Sequence, residues 1–345
     1  MGHPMKIASF LQAYDTIVFD MDGVVTSEQN YWNSAALTVW EYCRSKNYYG
    51  TEKICPEEWM KQVSSIRSNV FCGDELIRVL KEKGVNSNWD LGYVVFCLSR
   101  ILKTDCFEEV LTEASKLSDN ILGEYPILSQ KMASVFGGAP ADYSRSSPFW
   151  NQMQRCFQEW FLGQELYTKT YGELPKQAGK SGLLLKEEPI IPLEQLTAVF
   201  AGLFRAGKRI CVGTGRPGCE IEAPLKNWGL LQYIASDGFI HYDHVAEAEK
   251  ELQMQALTKP HPLMFLKAVY GEGYPNSRLL AQDYETQKIE KTLVVGDAGA
   301  DILAAQTMGA DFCAVLTGIT GAAARPYFED LGAAYIINDI RELLE

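Results

Sequence analysis

Two carboxylates stand close together near the start of the chain, in the stretch TIVFDMDGVV that spans residues 16–25. Asp20 and Asp22 follow an apolar run typical of a buried strand, and like charges so close are costly unless a ligand compensates them. Residues two apart in an extended segment point to the same side, so both carboxylates can face one ligand. A divalent cation there would keep Asp20 ionised, and the crowded field would favour a proton on Asp22. The pair is therefore suited to reactions that need a nucleophile beside a proton donor.

Further polar side chains follow later strand-like runs. Thr214 comes after RICVG, Asp297 comes after TLVVG, and Asp301 lies one helical turn beyond Asp297. Ligands of open parallel sheets bind at the edge where the strands end, so we expect these groups to meet Asp20 there. Carboxylate oxygens from Asp20 and Asp297 favour Mg²⁺, so the sequence predicts a magnesium site at this edge.

The same edge offers groups that can bind phosphate. Lys259, in LTKPHP, supplies a compact positive charge before a helix-like segment, and Thr214 supplies a hydroxyl. Backbone N–H groups in glycine turns can approach phosphate oxygens closely. The candidate phosphate-binding residues of these turns are Met21, Gly23, Gly215 and Arg216.

Strand-like runs and helical segments alternate in the second half of the chain. Residues 193–204 repeat apolar side chains at helical spacing, and residues 301–310 form another candidate helix that a glycine closes. Strands separated by helices indicate parallel βαβ units. We therefore predict an α/β fold with an open parallel sheet. Its first strand is the apolar run of the stretch 16–25, with Asp20 and Asp22 at its end, and the other strands fall within residues 209–215, 233–236, 292–297, 311–318 and 333–339.

A long insert separates the first predicted strand from the second. Residues 30–189 contain helix-compatible segments such as SAALTVWEYCRS and hold six of the seven tryptophans. An insert of this size can form a domain of its own. We therefore predict a core of residues 1–29 and 190–345 and a helical second domain of residues 30–189.

Composition disfavours several classes of partner and site. A net charge of −12, without a cluster of lysine and arginine, disfavours a nucleic-acid partner. Nine scattered cysteines without a C-x-x-C pair are typical of reduced thiols rather than a disulfide or zinc framework. No apolar run reaches the ~18–20 residues that span a bilayer, and the first ten residues lack the build of a secretory signal. We expect a cytoplasmic protein without a membrane partner; its oligomeric state stays unknown.

Four motifs occur in a fixed order along the chain: FDMDGVV, VGTGRP, KPHP and VVGDAGADILAAQTMGA. In this order they resemble the haloacid dehalogenase-like (HAD) superfamily of phosphohydrolases, over residues 15–29 and the region from about residue 190 to residue 345. The resemblance implies a Rossmann-like core. It also implies that the insert is a helical cap that closes over the substrate.

The resemblance further implies a role for each motif residue. Asp20 would be the nucleophile that forms an aspartyl-phosphate, and Asp22 would be the general acid and then the general base. Thr214 would bind the phosphoryl group, while Lys259 would offset negative charge on the nucleophile and the phosphate. Mg²⁺ would be held by Asp20, the backbone carbonyl of Asp22 and Asp297, with Asp301 supporting them.

The chain departs from the family pattern beside the first motif. Many relatives have D-G-T where this chain has Asp22, Gly23 and Val24, and their next acidic residue is replaced by Ser27, with Glu28 following. The insert is also larger than expected for this class of cap. These differences concern the substrate rather than the chemistry.

The expected activity is Mg²⁺-dependent hydrolysis of a small phosphorylated metabolite by a phosphatase. A phosphosugar mutase, which uses the same two acids and the same first step, is the main alternative. A catalytically inactive binding protein is less favoured, because Asp20, Asp22, Lys259 and Asp297 are all present.

Overall fold

The computed structural model describes residues 6–85, 87–118, 120–254 and 256–345. Residues 1–5 lie outside the described residues. They belong to the first ten residues, whose sequence lacks the features of a secretory signal. The chain forms two compact units, the first of Met1–Ser27 and Glu187–Glu345 and the second of Glu28–Lys186. The unit boundaries at residues 27 and 186 lie two and three residues before the sequence-based boundaries at residues 29 and 189.

The first unit is built on a parallel sheet. Its strands in the described residues are β1 (Thr16–Phe19), β2 (Arg209–Gly213), β3 (Ile234–Ile240), β4 (Thr292–Gly296), β5 (Asp311–Val315) and β6 (Tyr335–Ile337). They lie in the order β3-β2-β1-β4-β5-β6, and every neighbouring pair is parallel. The predicted open parallel sheet is therefore confirmed. Strand β3 extends beyond the predicted residues 233–236, because it pairs with β2 again after an irregularity, with Phe239 opposite Val212.

The second unit is helical in its regular structure. Its α-helices among the described residues are α1 (Gln29–Arg44), α2 (Pro56–Lys61), α3 (Val63–Val70), α4 (Glu75–Glu82), α5 (Asn88–Leu102), α6 (Phe107–Ala114), α7 (Ile121–Phe136) and α8 (Pro148–Tyr171). Helix α8 is interrupted at Gly163, where φ is +76°. A Cβ at Gly163 would lie 2.8 Å from the backbone of Ser181 and Gly182, so the glycine permits the close approach of the segment that leaves this unit.

Helices also surround the sheet of the first unit. They are α9 (Leu193–Arg205), α10 (Gly218–Asn227), α11 (Tyr242–Leu252), α12 (Leu263–Tyr270), α13 (Asn276–Leu280), α14 (Gln287–Glu290), α15 (Gly299–Met308) and α16 (Arg325–Asp330). Short 3₁₀ helices complete the regular structure of both units, at Ser9–Ala13, Pro140–Tyr143, Leu184–Lys186, Leu231–Tyr233, Gly321–Ala324 and Ile340–Leu343. Searching the described residues for membrane spans finds no helix long and apolar enough to cross a bilayer.

Both faces of the sheet are buried, and the alternation of side chains along β1 divides them. Ile17 and Phe19 join an apolar cluster that includes Phe200 of α9. Val18 joins a second cluster on the other face, which includes Phe265 of α12. Burying a side chain of this size contributes about 1.5–3 kcal/mol relative to leaving it exposed. Double-sided burial explains the uninterrupted apolar strands and leaves the polar motif residues just beyond their ends.

Candidate active site

The strand register brings three of the predicted site residues to one edge of the sheet. Phe19, the last residue of β1, pairs with Val212 of β2 and Val295 of β4. The three strands therefore end at the same level, and the N–H of Asp20 donates to the Val295 carbonyl at 2.9 Å. This register places the first, second and fourth motifs together through the residues Asp20, Thr214 and Asp297.

Lys259 links two of the predicted carboxylates. Its Nζ lies 2.7 Å from Oδ1 of Asp20 and 2.7 Å from Oδ1 of Asp301. Burial alone would lower the pKa of Lys259, but these two carboxylates outweigh burial and raise it above its ordinary value. Burial and the neighbouring Asp301 raise the pKa of Asp20 to about 7, against the opposing effect of Lys259. A further cation beside Asp20 would therefore favour its ionised form.

Three carboxylates converge in a way that suits a metal ion. One oxygen from each of Asp20, Asp297 and Asp301 lies within 4.8 Å of the others. Glycines leave the space for this approach: a Cβ at Gly23, where φ is +73°, would lie 2.2 Å from Oδ2 of Asp297, and one at Gly318 would lie 2.3 Å from it. An all-oxygen donor set of this kind matches the ligands that Mg²⁺ prefers. The residues present therefore fit the predicted cation.

Arg216 holds the carboxylate of Asp22. Its Nε donates to Oδ1 of Asp22 at 2.9 Å, and its Nη2 donates to the same oxygen. Nη2 also donates to Oε1 of Glu187 at 2.9 Å and to the hydroxyl of Thr26 at 3.1 Å. The side chain of Arg216 is 2% exposed, whereas that of Asp22 is 29% exposed. The guanidinium is thus fixed behind a carboxylate that is partly open to solvent.

The residues proposed to bind phosphate lie at this edge, but several of their groups have contacts within the protein. The Thr214 hydroxyl accepts the N–H of Arg216 at 3.1 Å, and the N–H of Gly23 donates to the Thr26 carbonyl at 2.9 Å. The side chain of Met21 is buried in the core. At Gly215 no atom lies within 4 Å of where a Cβ would be, so the backbone there is open to approach. Phosphate binding by these residues stays a prediction.

Thr26 and Glu187, which both accept from Arg216, were not among the candidates from the sequence. The Thr26 hydroxyl donates to the Met21 carbonyl at 3.0 Å, and it also receives the hydrogen bond from Arg216. Burial raises the pKa of Glu187 to about 7, although Arg216 opposes the rise. Glu187 is distant from every motif in the sequence and reaches the site because the chain returns there from the second unit. Its one sequence signal is an acidic pair, Glu187 and Glu188, just before the predicted core resumes.

A family match covers the C-terminal part of this site. The sequence model of the family described as HAD-hydrolase-like matches residues 256–343, which contain the third and fourth motifs. None of the curated proteins matches the chain significantly.

Solved structures resemble the chain over nearly its whole length. A crystal structure from the Northeast Structural Genomics Consortium is 28% identical, with a TM-score of 0.78, and the match covers 95% of this chain and 97% of that one. A HAD hydrolase of family IA, variant 3, from Entamoeba histolytica is 12% identical with a TM-score of 0.46, over 95% and 94% of the two chains. A haloacid dehalogenase-like protein from Agrobacterium tumefaciens is 15% identical with a TM-score of 0.44, over 96% of each chain.

These observations agree with one another. The core has an open parallel sheet, the residues of the ordered motifs meet at the edge where its strands end, and the family match spans two of those motifs. The match of residues 256–343 and the fold of the core support assignment of the chain to the haloacid dehalogenase-like superfamily of hydrolases.

Proposed function

We propose that the protein is a Mg²⁺-dependent phosphatase that hydrolyses a small cytosolic phosphate monoester through an aspartyl-phosphate. One observation carries the proposal. Asp20 lies at a strand end with Oδ1 2.7 Å from the Lys259 ammonium, in a group of three carboxylates whose oxygens lie within 4.8 Å of one another. A carboxylate nucleophile needs such surroundings, because its own charge and that of the phosphate must both be offset.

The residues that would hold Mg²⁺ are Asp20, Asp297 and the backbone carbonyl of Asp22. Bound there, Mg²⁺ supplies the positive charge that lets an anionic phosphate approach these carboxylates. Asp301 is engaged elsewhere, because Oδ1 accepts from Lys259 at 2.7 Å and Oδ2 accepts the N–H of Ala298 at 3.2 Å. We therefore assign Asp301 to holding Lys259 and the start of α15 in place.

The first step forms the phosphoenzyme. An oxygen of Asp20 forms a bond to phosphorus while the bond between phosphorus and the leaving-group oxygen breaks. Asp22 gives its proton to that oxygen, so the product leaves as an alcohol. Lys259 remains beside Asp20 throughout and offsets negative charge.

The second step restores the enzyme. Asp22, now ionised, takes a proton from a water molecule whose oxygen bonds to phosphorus. The bond between phosphorus and Asp20 breaks, which releases inorganic phosphate and leaves both carboxyl groups as they began.

The test is Asp20→Asn, measured with p-nitrophenyl phosphate and Mg²⁺. We expect turnover to fall by at least about 10³-fold, because an amide oxygen is a poor nucleophile. The matched control is Asp243→Asn, an acid-to-amide change at an exposed residue of the same unit, which should keep near wild-type turnover. Full activity in Asp20→Asn would refute the mechanism. Isomerisation of a hexose 1-phosphate without release of phosphate would instead favour the mutase.

A further inference from the structure

We infer that Arg216, anchored by Glu187 and Thr26, is a positioning residue that orients the carboxylate of Asp22 for proton transfer. This inference rests on the proposed function and assigns Arg216 a role other than binding phosphate. It concerns which oxygen of Asp22 exchanges the proton and what keeps that oxygen in place.

The hydrogen bonds to Asp22 converge on one of its two oxygens. Nε and Nη2 of Arg216 both donate to Oδ1, and the Thr26 hydroxyl lies 3.4 Å from that same atom. Oδ2 receives none of these hydrogen bonds. A guanidinium keeps its charge at any pH in the physiological range, so it cannot itself exchange the proton. The geometry therefore leaves Oδ2 of Asp22 as the oxygen that gives and takes the proton.

The guanidinium is itself held from behind. Glu187 accepts from Nη2 at 2.9 Å, and its side chain, like that of Arg216, is 2% exposed. The backbone around Arg216 is tied on both sides, since its N–H donates to the Thr214 hydroxyl at 3.1 Å and its carbonyl accepts the N–H of Tyr242 at 2.9 Å. A side chain anchored in this way is suited to fixing an orientation, because little conformational freedom remains to be lost during reaction.

The two possible roles of Arg216 differ in a measurable way. A phosphate-binding arginine stabilises every phosphate ester to a similar extent, whatever its leaving group. A positioning arginine acts through the proton that Asp22 gives to the leaving oxygen as the bond to phosphorus breaks. That proton matters greatly when the leaving group is phenolate and much less when it is p-nitrophenolate, which is a stable anion.

The experiment compares phenyl phosphate with p-nitrophenyl phosphate, which are similar in shape and differ in leaving group. It uses kcat/KM, which reports on steps through formation of the phosphoenzyme. In Arg216→Met we expect kcat/KM for phenyl phosphate to fall about 10-fold more than for p-nitrophenyl phosphate. Asp22→Asn should show a shift of the same kind, and adding Arg216→Met to it should not enlarge that shift.

Two further variants keep the test decisive. Glu187→Gln retains an acceptor of the same shape and should shift the substrate ratio in the same direction by about 3-fold, so it carries the test if Arg216→Met does not fold. Arg209→Met is the matched control, because Arg209 begins β2, the strand that precedes Arg216, and pairs with Asp237 at 2.9 Å. This variant should leave the ratio unchanged.

Each outcome decides the inference. An equal loss on both substrates in Arg216→Met identifies a phosphate-binding residue and overturns the positioning role, as does a ratio that changes further in the double variant. An unchanged ratio in a folded Glu187→Gln shows that the anchor does not act through Asp22. If the wild-type protein with Mg²⁺ hydrolyses neither ester, the proposed phosphatase activity is refuted. This result is distinct from a failure of the positioning role, which requires an active wild-type protein.

Discussion

In each unit of the molecule a lysine lies between two carboxylates. In the first unit, Lys259 lies 2.7 Å from both Asp20 and Asp301. In the second unit, Lys180 lies 2.7 Å from Glu41 and 2.6 Å from Glu159. The two clusters share the same ion-pair pattern, so what separates them must be their surroundings.

The cluster around Lys180 is closed. Its lysine and Glu41 are both fully buried, and Glu159 is 3% exposed. Glu41 also accepts the indole N–H of Trp160 at 2.8 Å, and Glu159 accepts the backbone N–H of Lys176 at 2.7 Å. Burial raises the pKa of Glu159 despite the pairing with Lys180. The loss of hydration therefore destabilises the ionised carboxylate more than the ion pair stabilises it.

The cluster around Lys259 is less enclosed, because the side chains of Lys259 and Asp20 are 13% and 9% exposed, although that of Asp301 is 1% exposed. It lies at the strand ends, where the half-buried Asp297 adds a third carboxylate within reach of Asp20 and Asp301. Among the described residues, these three form the one group of at least three His, Cys, Asp or Glu side chains whose ligand atoms lie so close together. The comparison teaches that a buried ion pair does not by itself indicate a site. Function requires carboxylate oxygens that a ligand can still reach.

The first prediction concerns the replacement of each central lysine by methionine. Lys180→Met leaves two carboxylates buried without their cation, so the free energy of unfolding should fall by about 3–5 kcal/mol. Lys259→Met should cost less than half of this in stability, because Lys259 and Asp20 are 13% and 9% exposed rather than fully enclosed, but it should lower turnover by at least about 100-fold. Urea unfolding followed by tryptophan fluorescence is a sensitive measurement, since six of the seven tryptophans lie in the second unit.

A surface lysine provides the control for this pair. Lys116, which is 66% exposed and pairs with Glu113, lies in the same unit as Lys180. Lys116→Met should change stability by less than about 1 kcal/mol. Equal destabilisation by Lys180→Met and Lys259→Met would contradict the distinction between a closed cluster and a less enclosed one.

The second prediction uses Mg²⁺ to separate the clusters. A ligand that binds only the folded state stabilises it by about 2.7 kcal/mol when present at 100 times its dissociation constant. We expect a gain of this size for the wild-type protein in calorimetric unfolding, and little gain for Asp297→Asn, which removes one ligand charge. Lys180→Met should keep the full gain, because its cluster takes no part in binding. An equal gain in Asp297→Asn would place the cation elsewhere.

Much of the fold was predictable because its signals are local. Apolar runs bounded by turn residues located the six strands of the described residues, since a strand buried on both faces is mostly apolar. The end of β3 was missed, because Asp237 and Gly238 look like a turn while the strand in fact continues to Ile240. Hydrogen bonding with β2 determines where β3 ends, and the local sequence of β3 does not reveal this pairing.

The candidate site likewise contains some residues that the local sequence reveals and others that it does not. Asp20, Lys259 and Asp301 were predictable, because each directly follows a strand or lies near the start of a helix in a motif of fixed order. Glu187 and Lys180 carry no such signal. Each has its role only because a distant segment returns to a buried partner, so its sequence neighbours resemble an ordinary charged loop.

The third and smallest prediction concerns the pH dependence of stability at Glu187. Arg216, Asp22 and Glu220 surround this carboxyl group, and burial raises its pKa to about 7 from an ordinary value of 4.5. The folded state then binds the proton more tightly than the unfolded state, so the stabilisation is present at low pH and is lost as the pH rises from about 5 to 7. Glu187→Gln removes this titration. Without Mg²⁺, the unfolding free energy of the wild-type protein should fall by on the order of 1–2 kcal/mol relative to this variant across that range.

The neighbouring Glu188 makes the comparison specific. It is exposed, so Glu188→Gln should leave the difference between pH 5 and pH 7 as it is in the wild-type protein. Urea midpoints at several pH values measure all three proteins under the same conditions, and any titration of Asp20 is common to them and cancels in the differences. A wild-type protein that gains stability relative to Glu187→Gln as the pH rises would show that the ion pair with Arg216 outweighs burial. Glu187 would then be an ionised partner of Arg216, unlike Glu159 of the second unit, whose pKa burial raises despite the buried cation of Lys180.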